Sequence, residues 1–157
     1  MVSRKIPIIL MGDMSKDDRG EVGFVNTFDF QNVKRFYTVK NSKKYEVRAW
    51  HGHKKEAKYI YAISGKVLVG AVEIDQWEKP AKKLNVHKFV INSKKPSILH
   101  IPPGYVNGFQ SLTKNAKLMF FSTSTLKESL NDDIRFDKSY WDIWLHPTKA
   151  VLGKSKK

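Results

Sequence analysis

Two segments are the most informative in this sequence: Arg48-Ala49-Trp50-His51-Gly52-His53 and, half the chain later, Ile101-Pro102-Pro103-Gly104-Tyr105-Val106-Asn107. Two histidines two positions apart on a β-strand point to the same face of a sheet. A second strand that ends in Pro-x-Gly-x-x followed by a polar residue can bring one more polar side chain into the same pocket. The spacing therefore predicts a β-barrel with a polar pocket at its mouth.

Lys58 and Asn107 indicate what the predicted pocket binds. In small β-barrels this histidine spacing belongs to metal sites with three histidines and one glutamate. Here Lys58 falls at the position of the carboxylate and Asn107 at that of the third imidazole. An ammonium group cannot ligate a cation and repels it, so the sequence predicts a metal-free pocket for an anion. We expect neither a metal nor an organic cofactor.

Length and composition bound the class of protein. A chain of 157 residues with 41% hydrophobic and 12% aromatic residues suits a globular protein. We expect a single β-barrel domain over residues 1–150 and a basic tail over residues 151–157. No apolar run approaches the ~18 residues of a transmembrane helix, and the chain has no cysteine for a disulfide framework. We therefore expect a cytoplasmic protein without a membrane partner.

The net charge of +14 could indicate a nucleic-acid partner, but the kind of basic residue argues against one. Lysine supplies most of the 29 basic residues, and only five of them are arginine. Recognition of bases and phosphates favours the guanidinium group of arginine. We therefore expect no nucleic-acid partner, and a solvated basic surface that can steer a doubly charged nucleotide toward the protein.

Runs rich in β-branched and aromatic residues predict an all-β fold. Many short strands at regular spacing are typical of an antiparallel sandwich or barrel. Ser64-Gly65 between two apolar runs predicts a tight hairpin, and residues 126–131 and 138–144 are the segments that could form short helices. The predicted strands cover residues 6–10, 36–39, 47–53, 58–63, 67–74, 85–91, 97–101 and 118–122.

Strand periodicity divides the first motif between two faces. A period of two places Val47 and Ala49 on the face of His51 and His53, and it places Arg48 on the opposite face. A pocket that uses both Arg48 and His51 therefore needs a bulge, a twist or a strand end between them.

At these residues the chain resembles the dTDP-4-dehydrorhamnose 3,5-epimerase family, which has a cupin-like jelly-roll fold. The resemblance runs in order from Asp18-Arg19-Gly20 to about Trp144, and its most specific part lies at residues 104–112. The first half is also similar to the dTDP-sugar 3,4-ketoisomerases, which share the pattern Arg48-x-x-His51-x-His53-Lys54. The resemblance implies an antiparallel jelly-roll barrel, a 4-keto nucleotide sugar as substrate and a homodimer.

The resemblance also implies a role for each matched residue. It makes His51 the catalytic base, and it makes Arg48 and Lys58 the groups that hold diphosphate or keto-sugar oxygens. Arg19 falls where an arginine of the partner subunit reaches the nucleotide. His53 matches the second histidine of the ketoisomerases, and we count it among the catalytic residues.

Several positions depart from the epimerase pattern, among them Asn107 and Val69, where that family has His and Asp. The tyrosine that serves these enzymes as an acid on the opposite face of the sugar should fall near residues 125–126, which are Thr and Leu here. Tyr37, Tyr105 and an ordered water are candidates to replace it. We count Tyr37 among the catalytic residues, and Tyr105 and Asn107 among the substrate-binding ones.

Four functions follow from these residues, and the last of them is a metal-dependent cupin enzyme in which His51, His53 and water hold a divalent ion. The leading hypothesis is an epimerase that removes a proton next to the ketone of a 4-keto-6-deoxy nucleoside-diphosphate sugar, with dTDP as the expected nucleotide. The first alternative is a dTDP-4-keto-sugar 3,4-ketoisomerase, because His51 and His53 could shuttle protons from one side of the sugar. The second alternative is a cupin that binds a nucleotide sugar without catalysis.

Overall fold

The computed structural model describes residues 5–147, and this part of the chain folds mainly as β-strands. The single helix in these residues is short, and it begins with a capping box in which Thr125 and Glu128 bond each other's backbone. The elements are β1 (Ile8–Met11), β2 (Asp13–Asp17), β3 (Gly20–Phe24), β4 (Arg35–Lys40), β5 (Val47–His53), β6 (Lys58–Ser64), β7 (Lys66–Glu73), β8 (Val86–Asn92), β9 (Ser97–Ile101), β10 (Tyr105–Ser111), β11 (Lys117–Ser122), α1 (Leu126–Leu130) and β12 (Ile134–Arg135).

Two five-stranded antiparallel sheets form the body of the fold. Sheet I has the order β1-β9-β6-β11-β4, and sheet II has the order β12-β5-β10-β7-β8. Apolar side chains from both sheets, among them Ile60, Leu99 and Leu118 of sheet I and Val69 and Phe109 of sheet II, form one buried cluster. This arrangement confirms the predicted all-β, antiparallel, cupin-like fold with a short helix near the C-terminal end.

A second apolar cluster covers the other side of sheet II. Trp50 of β5 is fully buried there against Trp141 and Trp144 of the C-terminal segment. Mutual backbone hydrogen bonds of 2.9 and 3.1 Å between Trp50 and Phe136 hold that segment against the strand. Because Trp50 packs into this cluster on the side of β5 away from the cavity, the strand that carries the histidines is fixed in position from behind.

A bulge in β5 changes which residues face the space between the sheets. His51 lies opposite Asn107 of β10, but Arg48, three residues earlier, lies opposite Phe109. One extra residue on β5 therefore returns Arg48 to the side of His51, as the sequence analysis required. The same bulge turns Val47 and Ala49 toward the second cluster, so their predicted place on the face of His51 was wrong.

Two local predictions were also wrong. Ser64-Gly65 does not form a hairpin, because β6 belongs to sheet I and β7 to sheet II. Gly65 has a φ of 74° and makes a sharp corner at which the chain crosses from one sheet to the other. Residues 138–144 form turns and extended backbone rather than a helix, because their tryptophans pack individually onto sheet II.

The β2–β3 hairpin and the strand β10 were absent from the predicted strands. β2 carries Asp13, Ser15, Lys16 and Asp17 and is largely exposed, so it lacks the apolar alternation on which strand prediction depends. The predicted basic tail at residues 151–157, and the last three residues of the predicted domain, lie outside the described residues.

Candidate active site

A cavity of about 260 Å³ opens between the two sheets at one end of the barrel. Six residues predicted for the site line it together, so the predicted convergence is present in the fold. Four lining side chains are cationic, namely Arg35, Arg48, Lys58 and Arg135, and the only acidic one is Asp133. This excess of positive charge suits an anionic ligand. The predicted residues in the lining are Tyr37, Arg48, His51, His53, Lys58 and Asn107.

His51 lies in the middle of the wall that sheet II contributes. It is partly buried, and its backbone carbonyl accepts a hydrogen bond of 3.4 Å from Asn107 Nδ2. Burial lowers the pKa of His51 below its ordinary value, and the positive charge of Arg135 lowers it further, while Asp133 opposes the shift. The imidazole is therefore neutral near pH 7 and can accept a proton.

His53 is buried beside His51 and is held in one tautomer. Its Nδ1 lies 2.7 Å from the carbonyl oxygen of Asp132. A carbonyl can only accept, so Nδ1 carries the proton and Nε2 keeps its lone pair in the neutral ring. Burial lowers the pKa of His53, the carboxylate of Glu56 opposes this, and the charge of Lys58 adds to it.

Lys58 and Tyr37 form the facing wall, which sheet I contributes. The ammonium of Lys58 donates a hydrogen bond of 2.9 Å to the hydroxyl oxygen of Tyr37. The Tyr37 ring stacks on Phe120 with 5.1 Å between ring centroids and only 2° between the planes. The phenol is therefore fixed by packing on its face and by a charged donor at its oxygen.

Arg48 reaches the cavity from the bulged part of β5. Its Nε donates a hydrogen bond of 2.8 Å to Asn41 Oδ1. Asn41 is buried, and its own amide group bonds the backbone oxygen of Glu46 and the hydroxyl of Ser111. Because Nε is held in this way, the outer nitrogens of the guanidinium are left to contact an oxygen-rich ligand.

Glu56 was not among the predicted site residues, and neither were Arg35, Asp133 and Arg135 of the cavity lining. Glu56 lies in the loop between β5 and β6 and is 2% exposed. Its carboxylate accepts a 2.6 Å contact from Lys58 and a short hydrogen bond from Ser122, and it lies 3.1 Å from His53 Nδ1. In the sequence it follows two lysines in a polar loop, so only its position between His53 and Lys58 could have indicated a role.

Burial alone would raise the pKa of Glu56, but the surrounding donors reverse this effect. Hydrogen bonds from Lys58 and Ser122, together with the positive charge of Lys58, lower the pKa below its ordinary value. Glu56 is therefore an ionised carboxylate behind the cavity wall at neutral pH.

Arg19 and Tyr105 do not join the other predicted residues. Arg19 lies at the turn of the β2–β3 hairpin with 86% of its side chain exposed, and it pairs with Asp17 at 2.5 Å. Tyr105 is buried in the core between the sheets, and its hydroxyl donates to the backbone oxygen of Lys5 at 3.3 Å. Within one subunit, neither side chain lines the cavity of His51.

Among residues 5–147, no group of three or more His, Asp or Glu side chains is arranged to hold a metal ion. Helix α1 has five residues, and no helix in this part of the chain is long and apolar enough to cross a membrane.

Comparison with known proteins identifies the family. The family model described as dTDP-4-dehydrorhamnose 3,5-epimerase matches residues 8–156, so the chain belongs to this family of enzymes. The resemblance inferred from the sequence is thus confirmed. A search of curated proteins finds no match.

Solved structures show the same fold at low sequence identity. The dTDP-4-dehydrorhamnose 3,5-epimerase of Sulfolobus tokodaii has a TM-score of 0.71 at 23% identity, over 91% of this chain and 82% of that one. The corresponding enzyme of Bacillus anthracis, with TDP and PPi bound, has a TM-score of 0.73 at 15% identity, over 90% and 86%. A sugar 3,4-ketoisomerase of Thermoanaerobacterium thermosaccharolyticum in complex with TDP has a TM-score of 0.64 at 20% identity, over 90% and 95%.

Proposed function

We propose that this chain epimerises a 4-keto-6-deoxy sugar carried on a nucleoside diphosphate, with dTDP as the nucleotide. One observation carries the proposal beyond family membership. A neutral imidazole, His51, and a phenol held by an ammonium, Tyr37 and Lys58, face one cavity from opposite sheets. Inversion at a carbon needs a base on one side and an acid on the other, and this arrangement supplies both.

The first half of the reaction uses the acidity of a carbon next to a ketone. His51 takes the proton from that carbon, and the electron pair of the C–H bond becomes the C=C bond of an enolate while the carbonyl oxygen gains the negative charge. A positioned base contributes about 10²–10⁴-fold to the rate. The cationic group of Lys58 stabilises the enolate oxygen.

The second half returns a proton to the opposite face. Because Lys58 donates to the oxygen of Tyr37, the phenol's own proton is available for donation into the cavity. Its transfer to carbon forms the new C–H bond and restores the ketone. The phenolate then recovers a proton from solvent, and the His51 imidazolium releases one, so no metal, redox partner or organic cofactor takes part.

The nucleotide part of the substrate meets the cationic lining. The relatives from B. anthracis and T. thermosaccharolyticum are described with TDP bound. We propose that Arg48 contacts the diphosphate and that Asn107, beside His51 in the register of β10 and β5, contacts a sugar hydroxyl. Tyr105 is buried away from this cavity and would act only through the packing of the core.

We also propose that the protein works as a homodimer in the cytoplasm. Large apolar side chains are exposed on the outer face of sheet I, including Ile8, Phe36 and Ile63 at 45%, 66% and 40% exposure. A second copy of the chain would cover this face, and Arg19 on the exposed β2–β3 hairpin could then reach the partner's cavity. Light scattering should give twice the chain mass; a monomer at micromolar concentration would contradict the dimer.

Hydrogen exchange with solvent tests the proposed base. In D₂O the wild type should incorporate deuterium next to the ketone of dTDP-4-keto-6-deoxyglucose, and His51→Ala should slow this at least about 10²-fold. The control is His146→Ala, because 73% of that side chain is exposed and it lies outside the cavity. A wild type that exchanges no hydrogen with any of several dTDP-4-keto sugars would defeat the proposal.

A 3,4-ketoisomerase is the second candidate, and one observation favours it. His53 lies on the same wall as His51 with its Nε2 lone pair free of the proton, so the two rings could move protons between adjacent atoms from one side. NMR of the product separates the two reactions, because epimerisation leaves the ketone at C4 and isomerisation moves it to C3. Binding of dTDP in calorimetry without any turnover would instead indicate a non-catalytic binding protein.

A further inference from the structure

Glu56 combines complete burial with an unusual number of charged neighbours. The exposed fraction of its side chain is 0%, yet Lys58, His53 and Arg35 lie 2.6, 3.1 and 3.6 Å from its carboxylate oxygens. Ser122 adds a hydrogen bond to the oxygen that faces Lys58. A buried carboxylate persists only if such partners compensate the loss of water, so this contact set is the reason for its charge.

The hydrogen bonds of Lys58 show what the carboxylate does for the cavity. An ammonium group has three donors. One of them goes to Glu56 and one to Tyr37, at 2.6 and 2.9 Å, which leaves a third for an oxygen of the ligand. Glu56 is the only acidic residue within ion-pair distance of Lys58 in residues 5–147. Without it, a buried ammonium would lose its counter-ion and the contact that fixes its direction.

The second carboxylate oxygen faces the opposite wall. Glu56 Oε2 lies 3.1 Å from His53 Nδ1 but accepts no hydrogen bond, because the Nδ1 proton is donated to the carbonyl oxygen of Asp132. The charged groups that act on His53 are Glu56 from the loop, Lys58 from β6 and Asp132 from the segment before β12. Of these, Glu56 is the negative charge in direct contact with the ring. One carboxylate thus touches a cavity residue of sheet I and one of sheet II.

We infer that Glu56 is a positioning residue, which fixes the Lys58 ammonium in one wall of the cavity and holds a negative charge against the His53 imidazole in the other, without contacting the ligand itself. Its effect on catalysis rests on the proposed function, but its effect on His53 does not. Glu56 is absent from the cavity lining, so changing it removes no ligand contact. The inference therefore predicts a loss in the chemical step with little change in affinity.

Glu56→Gln tests this role, because glutamine keeps the size of the side chain and removes its charge. We expect kcat to fall at least about 10-fold, within the range attributed to one positioned group, while KM and the calorimetric Kd for dTDP change less than 3-fold. In NMR titrations the His53 midpoint should fall by about one pH unit, the lower end of the effect of an adjacent charge. Glu56→Asp, which retains the charge, should restore part of kcat and move the midpoint back.

The control variant is Glu78→Gln, an exposed carboxylate outside the site. Wild-type kcat and an unchanged His53 midpoint in Glu56→Gln would overturn the inference, as would equal losses in the control. If Glu56→Gln fails to fold, the double variant Glu56→Gln/Lys58→Met removes both charges; recovery of folded protein supports the pairing, and failure contradicts it. The His53 titration needs no substrate, so absence of turnover in the wild type would defeat the proposed function alone.

Discussion

Replacing Lys58 by methionine removes the ammonium that joins Glu56 to Tyr37. Methionine has nearly the same length and fills the same space, so the change tests charge rather than packing. Lys58 is 5% exposed, and its partner Glu56 is 2% exposed. The variant therefore leaves a buried carboxylate without its nearest cation.

The expected loss in the free energy of unfolding follows from the burial of this pair. Breaking a buried pair by removing one partner costs about 3–5 kcal/mol, because the remaining charge is uncompensated. Arg35 remains 3.6 Å from Glu56 and compensates part of the charge, so we expect the lower end of that range. For a domain of this size, ~3 kcal/mol corresponds to a fall in Tm of about 6–12 °C.

The pH dependence of the loss gives a second observable. In the wild type the fold lowers the pKa of Glu56 below the ~4.3 of an unfolded glutamate. The ionised carboxylate therefore stabilises the fold at pH values above ~4.3, and this contribution disappears as the pH falls through the folded-state pKa. In Lys58→Met, burial dominates and the pKa of Glu56 rises. The variant should therefore lose more stability at pH 7.5 than at pH 5, where the carboxyl can bind a proton.

Calorimetric melts of both proteins at pH 7.5 and 5 measure these quantities. The control is Lys34→Met, which breaks the half-exposed pair Lys34–Glu128 and should cost less than about 1 kcal/mol. A Tm within 2 °C of wild type at pH 7.5, or a larger deficit at pH 5 than at pH 7.5, would refute the account of Glu56 and Lys58.

Two further predictions concern the base, His51, and the second apolar cluster around Trp50. Because the pKa of His51 is lowered, kcat/KM should be flat above pH ~6.5 and should fall at lower pH as the imidazole takes up a proton; a rate that rises on acidification would exclude neutral His51 as the base. Trp50→Ala empties the centre of the cluster with Trp141 and Trp144, which should cost about 3–5 kcal/mol in denaturant titrations; a cost below about 1 kcal/mol would show that this cluster does not support β5.

Much of the architecture could be predicted from the amino-acid sequence because it depends on local periodicity. The bounds of β5 and β9 agree with the predicted strands at residues 47–53 and 97–101. The shared direction of His51 and His53 follows from strand periodicity, since histidines two apart on one strand point to the same face. These features required only the order and spacing of residues.

The features that were missed depend on contacts distant in sequence. Gly65 has the composition of a hairpin turn, but which sheet receives β7 is decided by the packing of the whole barrel. A bulge in β5, where a Cβ on Gly108 would come within 2.5 Å of the Ala49 Cβ, reverses the phase of the residues before it. Glu56 resembles any charged loop residue until β6, β11 and β4 bring Lys58, Ser122 and Arg35 around it.

The proposed acid and base act from opposite walls of one cavity, and Tyr37→Phe removes the acid alone. In D₂O, NMR of a dTDP-4-keto-6-deoxy sugar should show inverted, deuterated product with the wild type. With Tyr37→Phe, deuterium should still enter next to the ketone while inversion falls at least about 10²-fold, because His51 can return the label only to the face from which it took the proton. Inversion at the wild-type rate in Tyr37→Phe, or a ketone moved to C3 in the wild type, would contradict the account.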